Sequence, residues 1–191
     1  MGKGRLEAFS DAVIAIILTI MVLEMKTPHG ADVEALRPLF PVFLSYVLSF
    51  VYLGIYWNNH HHLFQAARQV NGHTLLANMH LLFWLSLIPF VTGWMGENHF
   101  EKMPVVFYGI VLLFAAIAYF ILTQSLLAHH GRDSTLAIAI KQGFKEKVSL
   151  AVYAAAIPLA FVNSWLACAL YGLVAAMWLI PDRRIEKTLN Q

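Results

Sequence analysis

Side chains that can bind a metal or carry a buried charge lie at the ends of apolar runs in this sequence. Asp11 opens the first run, the second run ends in Tyr56-Trp57-Asn58-Asn59-His60-His61-His62, and His80 lies in the third. Imidazole and carboxylate groups are common ligands of transition metals. Successive helical residues point about 100° apart, so three adjacent histidines cannot converge on one ion from a single helix.

The order of the apolar runs places several polar residues in the same half of a membrane. If the first run crosses outward, the second returns and the third crosses outward again. The residues brought to one side are Arg5, Ser10, Asp11, His60, His61, Asn78 and His80. Unpaired polar groups are costly in an apolar environment, so we predict a buried network that neutralises Asp11. The alternative is a transition-metal transporter or membrane enzyme that uses Asp11, His60 to His62 and His80.

Enzymatic signatures are missing from the sequence. It contains no glycine-rich phosphate loop, no nucleophile elbow and no His-Glu-x-x-His motif. Asp11 and Glu24 lie about three and a half helical turns apart, too far to act as a carboxylate pair. The single Cys168 excludes an intramolecular disulfide. We therefore expect no enzymatic activity, no cofactor and no nucleic-acid partner.

The composition indicates an integral membrane protein. Of the 191 residues, 59% are hydrophobic and 13% are charged, and the mean hydropathy is +0.64. Soluble domains average about 45–50% apolar and about 25% charged residues. The excess apolar surface must therefore face lipid.

Six apolar runs have the length that a membrane crossing requires, about 20 helical residues. They predict an all-α polytopic protein in which residues 1–191 form a single six-helix domain. The predicted helices are about 7–26, 39–62, 73–95, 104–128, 145–163 and 165–181. Pro89 and Pro158 predict kinks, and Asn163-Ser164 predicts the turn between the last two helices. Tyr56 and Tyr108 lie near predicted helix ends, where interfacial aromatic belts occur.

Basic residues are distributed unequally between the two sides of this topology. Only Lys26, Arg37 and Lys102 fall in the odd-numbered connections. The termini and even-numbered connections carry the other ten, which are Lys3, Arg5, Arg68, Arg132, Lys141, Lys145, Lys147, Arg183, Arg184 and Lys187. The positive-inside rule therefore predicts that both termini are cytoplasmic.

The first predicted helix carries a narrow stripe at helical spacing. Its members are Ala12, Ile16, Thr19, Ile20 and Leu23. The stripe combines branched aliphatic side chains with one hydroxyl. Such a stripe commonly packs against another helix, but an acid beside it, Asp11, is costly in a membrane and indicates a partner or a water-filled space.

The motif Arg5-x-x-x-Phe9-Ser10-Asp11 at the head of the first helix resembles the signature of the transmembrane protein 175 family. This family comprises the endolysosomal potassium channel and its bacterial relatives. The apolar helix that ends in Leu23-Glu24 and the Trp57-x-x-His60-His61 segment are also similar to the family pattern. The six-crossing layout extends the resemblance over nearly the whole chain.

The resemblance implies a potassium-selective cation channel that assembles as a homotetramer, with potassium as the permeant ion. In that family the first helix lines a central pore. The resemblance assigns the hydrophobic constriction to Ile16, further pore-lining positions to Ile20 and Leu23, and selectivity to Thr19. It also implies that the Phe-Ser-Asp residues bond to neighbouring helices and hold the pore helix in place, with a second-helix histidine, either His60 or His61, among the partners. A purely structural bundle is a third hypothesis.

Overall fold

The computed structural model describes residues 2–130 and 144–179 and shows an all-helical membrane protein. The helices are α1 (Lys3–Leu23), α2 (Phe40–Ala66), α3 (Gly72–Ser86), α4 (Ile88–Glu97), α5 (Lys102–His130), α6 (Phe144–Val162) and α7 (Ser164–Leu179). A 3-10 helix, Val33–Leu39, precedes α2. The described ranges contain no strand. Five of the basic residues that the positive-inside rule assigns to the cytoplasmic side lie outside these ranges, at positions 132, 141, 183, 184 and 187. The last two residues of the sixth predicted helix also lie outside them.

Four helical segments are long and apolar enough to cross a membrane within the described ranges. They are Lys3–Leu23, Val33–Ala66, Gly72–Glu97 and Lys102–Ala128, while Ser164–Leu179 is a shorter apolar helix. α3 and α4 form one span that breaks at Leu87, so the seven α-helices of residues 2–130 and 144–179 make six helical units. The break follows from Pro89, which lacks an N–H group and clashes with the preceding turn. The polypeptide reverses at Asn163, as predicted, and α6 continues through Pro158.

Two groups of helices share α5. It packs against α3 and α4 on one side and against α6 and α7 on the other. α1 contacts α2, α3 and α4, and α2 also reaches α7. α1 therefore lies at the margin of the bundle, where one of its faces has no neighbour in the described chain.

Buried hydroxyl groups connect the central helices. The Ser49 hydroxyl lies 2.7 Å from that of Thr92 and 3.0 Å from that of Tyr108. The Tyr52 hydroxyl donates to the carbonyl of Tyr171 at 2.6 Å. Hydrogen bonds of this kind satisfy polar groups that neither lipid nor an apolar core can satisfy. They join α2, α4, α5 and α7.

The interfacial position predicted for two tyrosines is wrong. Tyr108 is fully buried and Tyr56 is 8% exposed. Both side chains point into the bundle, and the ring of Tyr56 packs edge-on against that of Tyr119. Proximity to a helix end is a weak signal, because it does not say which face of the helix a residue occupies.

Gly109 permits the close approach of α5 and α7. A Cβ atom built at this position would collide with the Tyr171 hydroxyl, and it would lie 2.8 Å from the Tyr171 Cζ and 3.1 Å from Ile157. Gly172 has nothing within 4 Å of the equivalent position. Only the first glycine is required by packing.

We therefore expect Gly109→Ala to destabilise the protein by roughly 1–3 kcal/mol, the usual cost of overpacking a core. Thermal unfolding of the detergent-solubilised protein measures the effect. Gly172→Ala is the matched control, and it should be neutral or slightly stabilising because alanine favours helix. Equal melting temperatures for the two variants would contradict this account of α5–α7 packing.

Candidate functional site

α1 has a buried face and an exposed face. The buried positions are Leu6, Ser10, Ile14, Ile17 and Met21. The stripe predicted from the sequence is exposed within the single chain, and it comprises Ala12, Ile16, Thr19, Ile20 and Leu23. Ile16 is 57% exposed and Leu23 is 78% exposed. None of the stripe packs into the core of its own chain.

Three polar side chains from three helices hold the buried face of α1. The amide nitrogen of Asn78 on α3 donates to the Ser10 Oγ at 2.9 Å, and Ser10 donates to the carbonyl of Leu6. The Asn78 Oδ1 lies 2.8 Å from His60 Nε2. An amide oxygen can only accept, so His60 Nε2 carries the proton in this bond. Ser10, His60 and Asn78 are all buried.

Asp11 lies beside this chain of bonds and has a different partner. Its Oδ1 accepts a hydrogen bond from the Trp57 indole at 3.0 Å. The ring of His61 is exposed and stacks on Trp57, with 6.0 Å between ring centroids. His60 therefore turns inward and His61 turns outward, and His60 is linked to Ser10 through Asn78.

The remaining members of the predicted network lie apart from it. The His80 Nε2 accepts from the Trp84 indole at 3.0 Å, one turn along α3. Arg5 is exposed, and Phe9 is 44% exposed. The structure thus forms one buried chain of three residues and a separate Asp11–Trp57 pair at the margin of α1, instead of one network of seven.

The histidines do not assemble a metal site. His60, His61 and His80 each face a different partner, and the described residues contain no group of three His, Cys, Asp or Glu side chains able to hold an ion. Zinc sites in proteins require at least three such ligands. This geometry does not favour the transporter or enzyme hypothesis.

Thr19 is the one hydroxyl on the exposed face of α1. Its Oγ1 donates to the carbonyl of Ile16 at 2.9 Å. A hydroxyl has one proton and two acceptor lone pairs. Because the proton is engaged with the helix, the oxygen lone pairs remain available to a cation outside it.

A groove of about 680 Å³ runs between α1 and α4 beside the stripe. Ile16 and Ile20 border it from α1, and Phe90 and Trp94 border it from α4. Where α1 ends, Lys26 donates to Glu97 at 2.9 Å. This hydrogen bond and the charge of Glu97 raise the pKa of Lys26, so Lys26 stays charged at neutral pH. The pair is solvent-exposed and contributes little stability.

Comparison with known proteins identifies similar channels. A family model described as the endosomal/lysosomal potassium channel TMEM175 matches residues 5–89. A potassium channel from a Chryseobacterium species is 54% identical over 191 residues, which cover all of both chains. The endosomal/lysosomal proton channel TMEM175 of Mus musculus is 30% identical over 186 residues, which cover 87% of this chain and 37% of the mouse protein.

A solved structure has a similar fold. It is the crystal structure of a lysosomal potassium-selective channel TMEM175 homolog from Chamaesiphon minutus, with a TM-score of 0.79 and 28% sequence identity. The match covers 93% of this chain and 96% of the other.

The hydrogen-bonded chain around Asn78 predicts the effect of removing its amide. Asn78→Ala leaves Ser10 without its donor and His60 without its acceptor in a buried site, so we expect a loss of roughly 1–3 kcal/mol. Thermal unfolding in detergent measures it. Met79→Ala, at an exposed neighbouring position, is the control and should unfold near the wild-type temperature. A wild-type melting temperature for Asn78→Ala would show that these bonds do not hold α1.

Proposed function

This chain belongs to the TMEM175 family of potassium channels, and we propose that four copies of it surround a central ion path lined by α1. Its function is potassium-selective cation conduction, and the family has no enzymatic activity. The observation that supports the position of the pore is the exposed stripe of α1 on the side opposite the Ser10 anchor.

The position of α1 in the bundle supports this assembly. α1 packs against α2, α3 and α4 with one face and has no neighbour on the other within the described chain. Aliphatic side chains alone would suit lipid equally well. Thr19 distinguishes the stripe, because a hydroxyl oxygen among branched aliphatics suits an ion path better than an acyl chain.

Ile16 forms the constriction in this proposal. Four Ile16 side chains around an axis would form an apolar ring that closes by contact and loses water. Ile20 and Leu23 continue the apolar surface along the same face of α1. Opening requires the helices to separate until water fills the ring.

Thr19 provides the selectivity in this proposal. Its lone pairs form a ring of hydroxyl oxygens three residues beyond Ile16, where a partly dehydrated ion can rest. Potassium releases its hydration water more readily than sodium, so such a ring favours potassium without a rigid cage. The preference it produces is modest.

The orientation follows from the charges. Both termini are cytoplasmic in our proposal, with the chain in a bacterial plasma membrane. The network of Ser10, His60 and Asn78 then lies in the cytoplasmic half of the membrane, and the Lys26–Glu97 pair lies at the external mouth.

Replacing Ile16 with asparagine tests the constriction. A polar ring retains water, so we expect Ile16→Asn to increase valinomycin-independent potassium flux into proteoliposomes by about tenfold, equivalent to lowering the barrier by about 1.4 kcal/mol. Val22→Asn is the matched control, because Val22 is 44% exposed on another face of α1. Equal fluxes for the two variants would exclude Ile16 from the pore.

Thr19→Ala tests the selectivity ring. Loss of the hydroxyl oxygens should move the potassium-to-sodium permeability ratio towards one, as measured from reversal potentials under bi-ionic conditions. Thr19→Ser retains the hydroxyl and should keep most of the preference. If the alanine variant is as selective as wild type, the selectivity resides elsewhere.

A further inference from the structure

A second cavity lies inside each chain, away from the exposed face of α1. It is lined by α2, α5, α6 and α7, and the volume open to water is about 30 Å³. This is room for about two water molecules. The groups that matter here are Tyr56, Asn59, Tyr119, Glu146 and Trp178.

Three oxygen-bearing side chains face this cavity with no partner in the described part of the chain. The Tyr56 hydroxyl makes no hydrogen bond there, although the residue is more than nine-tenths buried. Neither the side-chain amide of Asn59 nor the carboxylate of Glu146 is paired with a described residue. By contrast, the neighbouring Tyr119 hydroxyl donates to the carbonyl of Asn59. Buried polar groups are normally satisfied, so the Tyr56 hydroxyl indicates an occupant, and the half-buried side chains of Asn59 and Glu146 lie beside it.

Aromatic rings enclose the same space. Tyr56 and Tyr119 pack edge to face, with 6.2 Å between ring centroids. The ammonium group of Lys145 lies 5.8 Å from the ring centroid of Trp178, so this ring already faces a cation of the protein, and a bound ion would use the rings of Tyr56 and Tyr119. Aromatic faces attract cations that lose their water easily, and a low-dielectric site strengthens this attraction.

We propose that this cavity binds one weakly hydrated monovalent cation of the size of ammonium or potassium in each chain. Glu146 supplies the charge, and the oxygens of Tyr56 and Asn59 replace part of the hydration shell. A cation offsets the cost of a half-buried carboxylate. Sodium binds more weakly because it holds its water more tightly. The site depends only on contacts within one chain, so it stands whether or not α1 lines the pore.

Rubidium, which scatters anomalously and substitutes for potassium, is the probe. Crystals of the full chain grown in rubidium chloride should show an anomalous peak between α2 and α6 in each chain. Glu146→Gln should remove this peak and leave any peaks beside α1. Glu7→Gln is the matched control, because it removes a carboxylate at the same end of the bundle but outside the cavity. A cavity filled by water alone, or a peak that persists in Glu146→Gln, overturns the proposal.

Thermal unfolding gives a second measurement that does not need crystals. Replacing sodium with rubidium at equal ionic strength should raise the melting temperature, because a ligand that binds only the folded state stabilises it. Glu146→Gln and Tyr56→Phe should each lose most of this rise, whereas Glu7→Gln should keep it. An identical rise in all four proteins would place the stabilising ion elsewhere and refute the cavity site.

Discussion

The amide of Asn78 is the interaction on which the placement of α1 depends. It donates to Ser10 and accepts from His60, so one side chain of α3 connects α1 with α2. In lipid, the hydrophobic effect does not select which apolar face of a helix turns inward, because both faces are equally compatible with acyl chains. Directional hydrogen bonds make that selection. Once Ser10 faces inward, helical geometry turns the Ile16 stripe outward.

The same reasoning applies to the rest of the bundle. Hydroxyl groups of Ser49, Tyr52 and Tyr108 point into the protein, where each finds a partner. Small residues allow the helices to approach closely enough for these bonds. At Gly96, an added Cβ would lie 2.5 Å from the Ser45 hydroxyl, so α2 and α4 are in direct contact there. Packing and polar pairing therefore act together, as expected where lipid supplies no solvent for backbone or hydroxyl groups.

Much of this architecture is predictable because run length and helical period are properties of the sequence alone. The apolar runs predicted the helical units, and spacing identified the residues of the α1 stripe but not whether the stripe is exposed. The positions of His60 and His61 alone do not say which one turns inward, because the two residues are adjacent and either rotation of α2 is compatible with them. A stronger signal was available in Ser45, Ser49, Tyr52 and Tyr56, whose spacing places them on one face of α2 with His60. That polar face predicts that Tyr56 and His60 both point into the bundle, but it says nothing of Tyr108 on α5. The sequence predicted a kink at Pro89, whereas the structure has a break at Leu87. The difference arises because proline disrupts the helical turn that precedes it, so the interruption lies before the proline itself.

The break at Leu87 gives the two halves of one membrane crossing different contacts with α1. Its first half, α3, contains the Asn78 anchor, and its second half, α4, forms the far wall of the groove beside Ile16 and Ile20. A continuous rod would transmit any tilt of one half to the other, whereas a jointed rod does not. α4 can therefore take a direction different from that of α3, and it is held separately, by the Thr92–Ser49 hydrogen bond to α2 and by the Lys26–Glu97 pair. One membrane crossing thus fixes α1 through Asn78 in its first half and borders the groove beside α1 in its second.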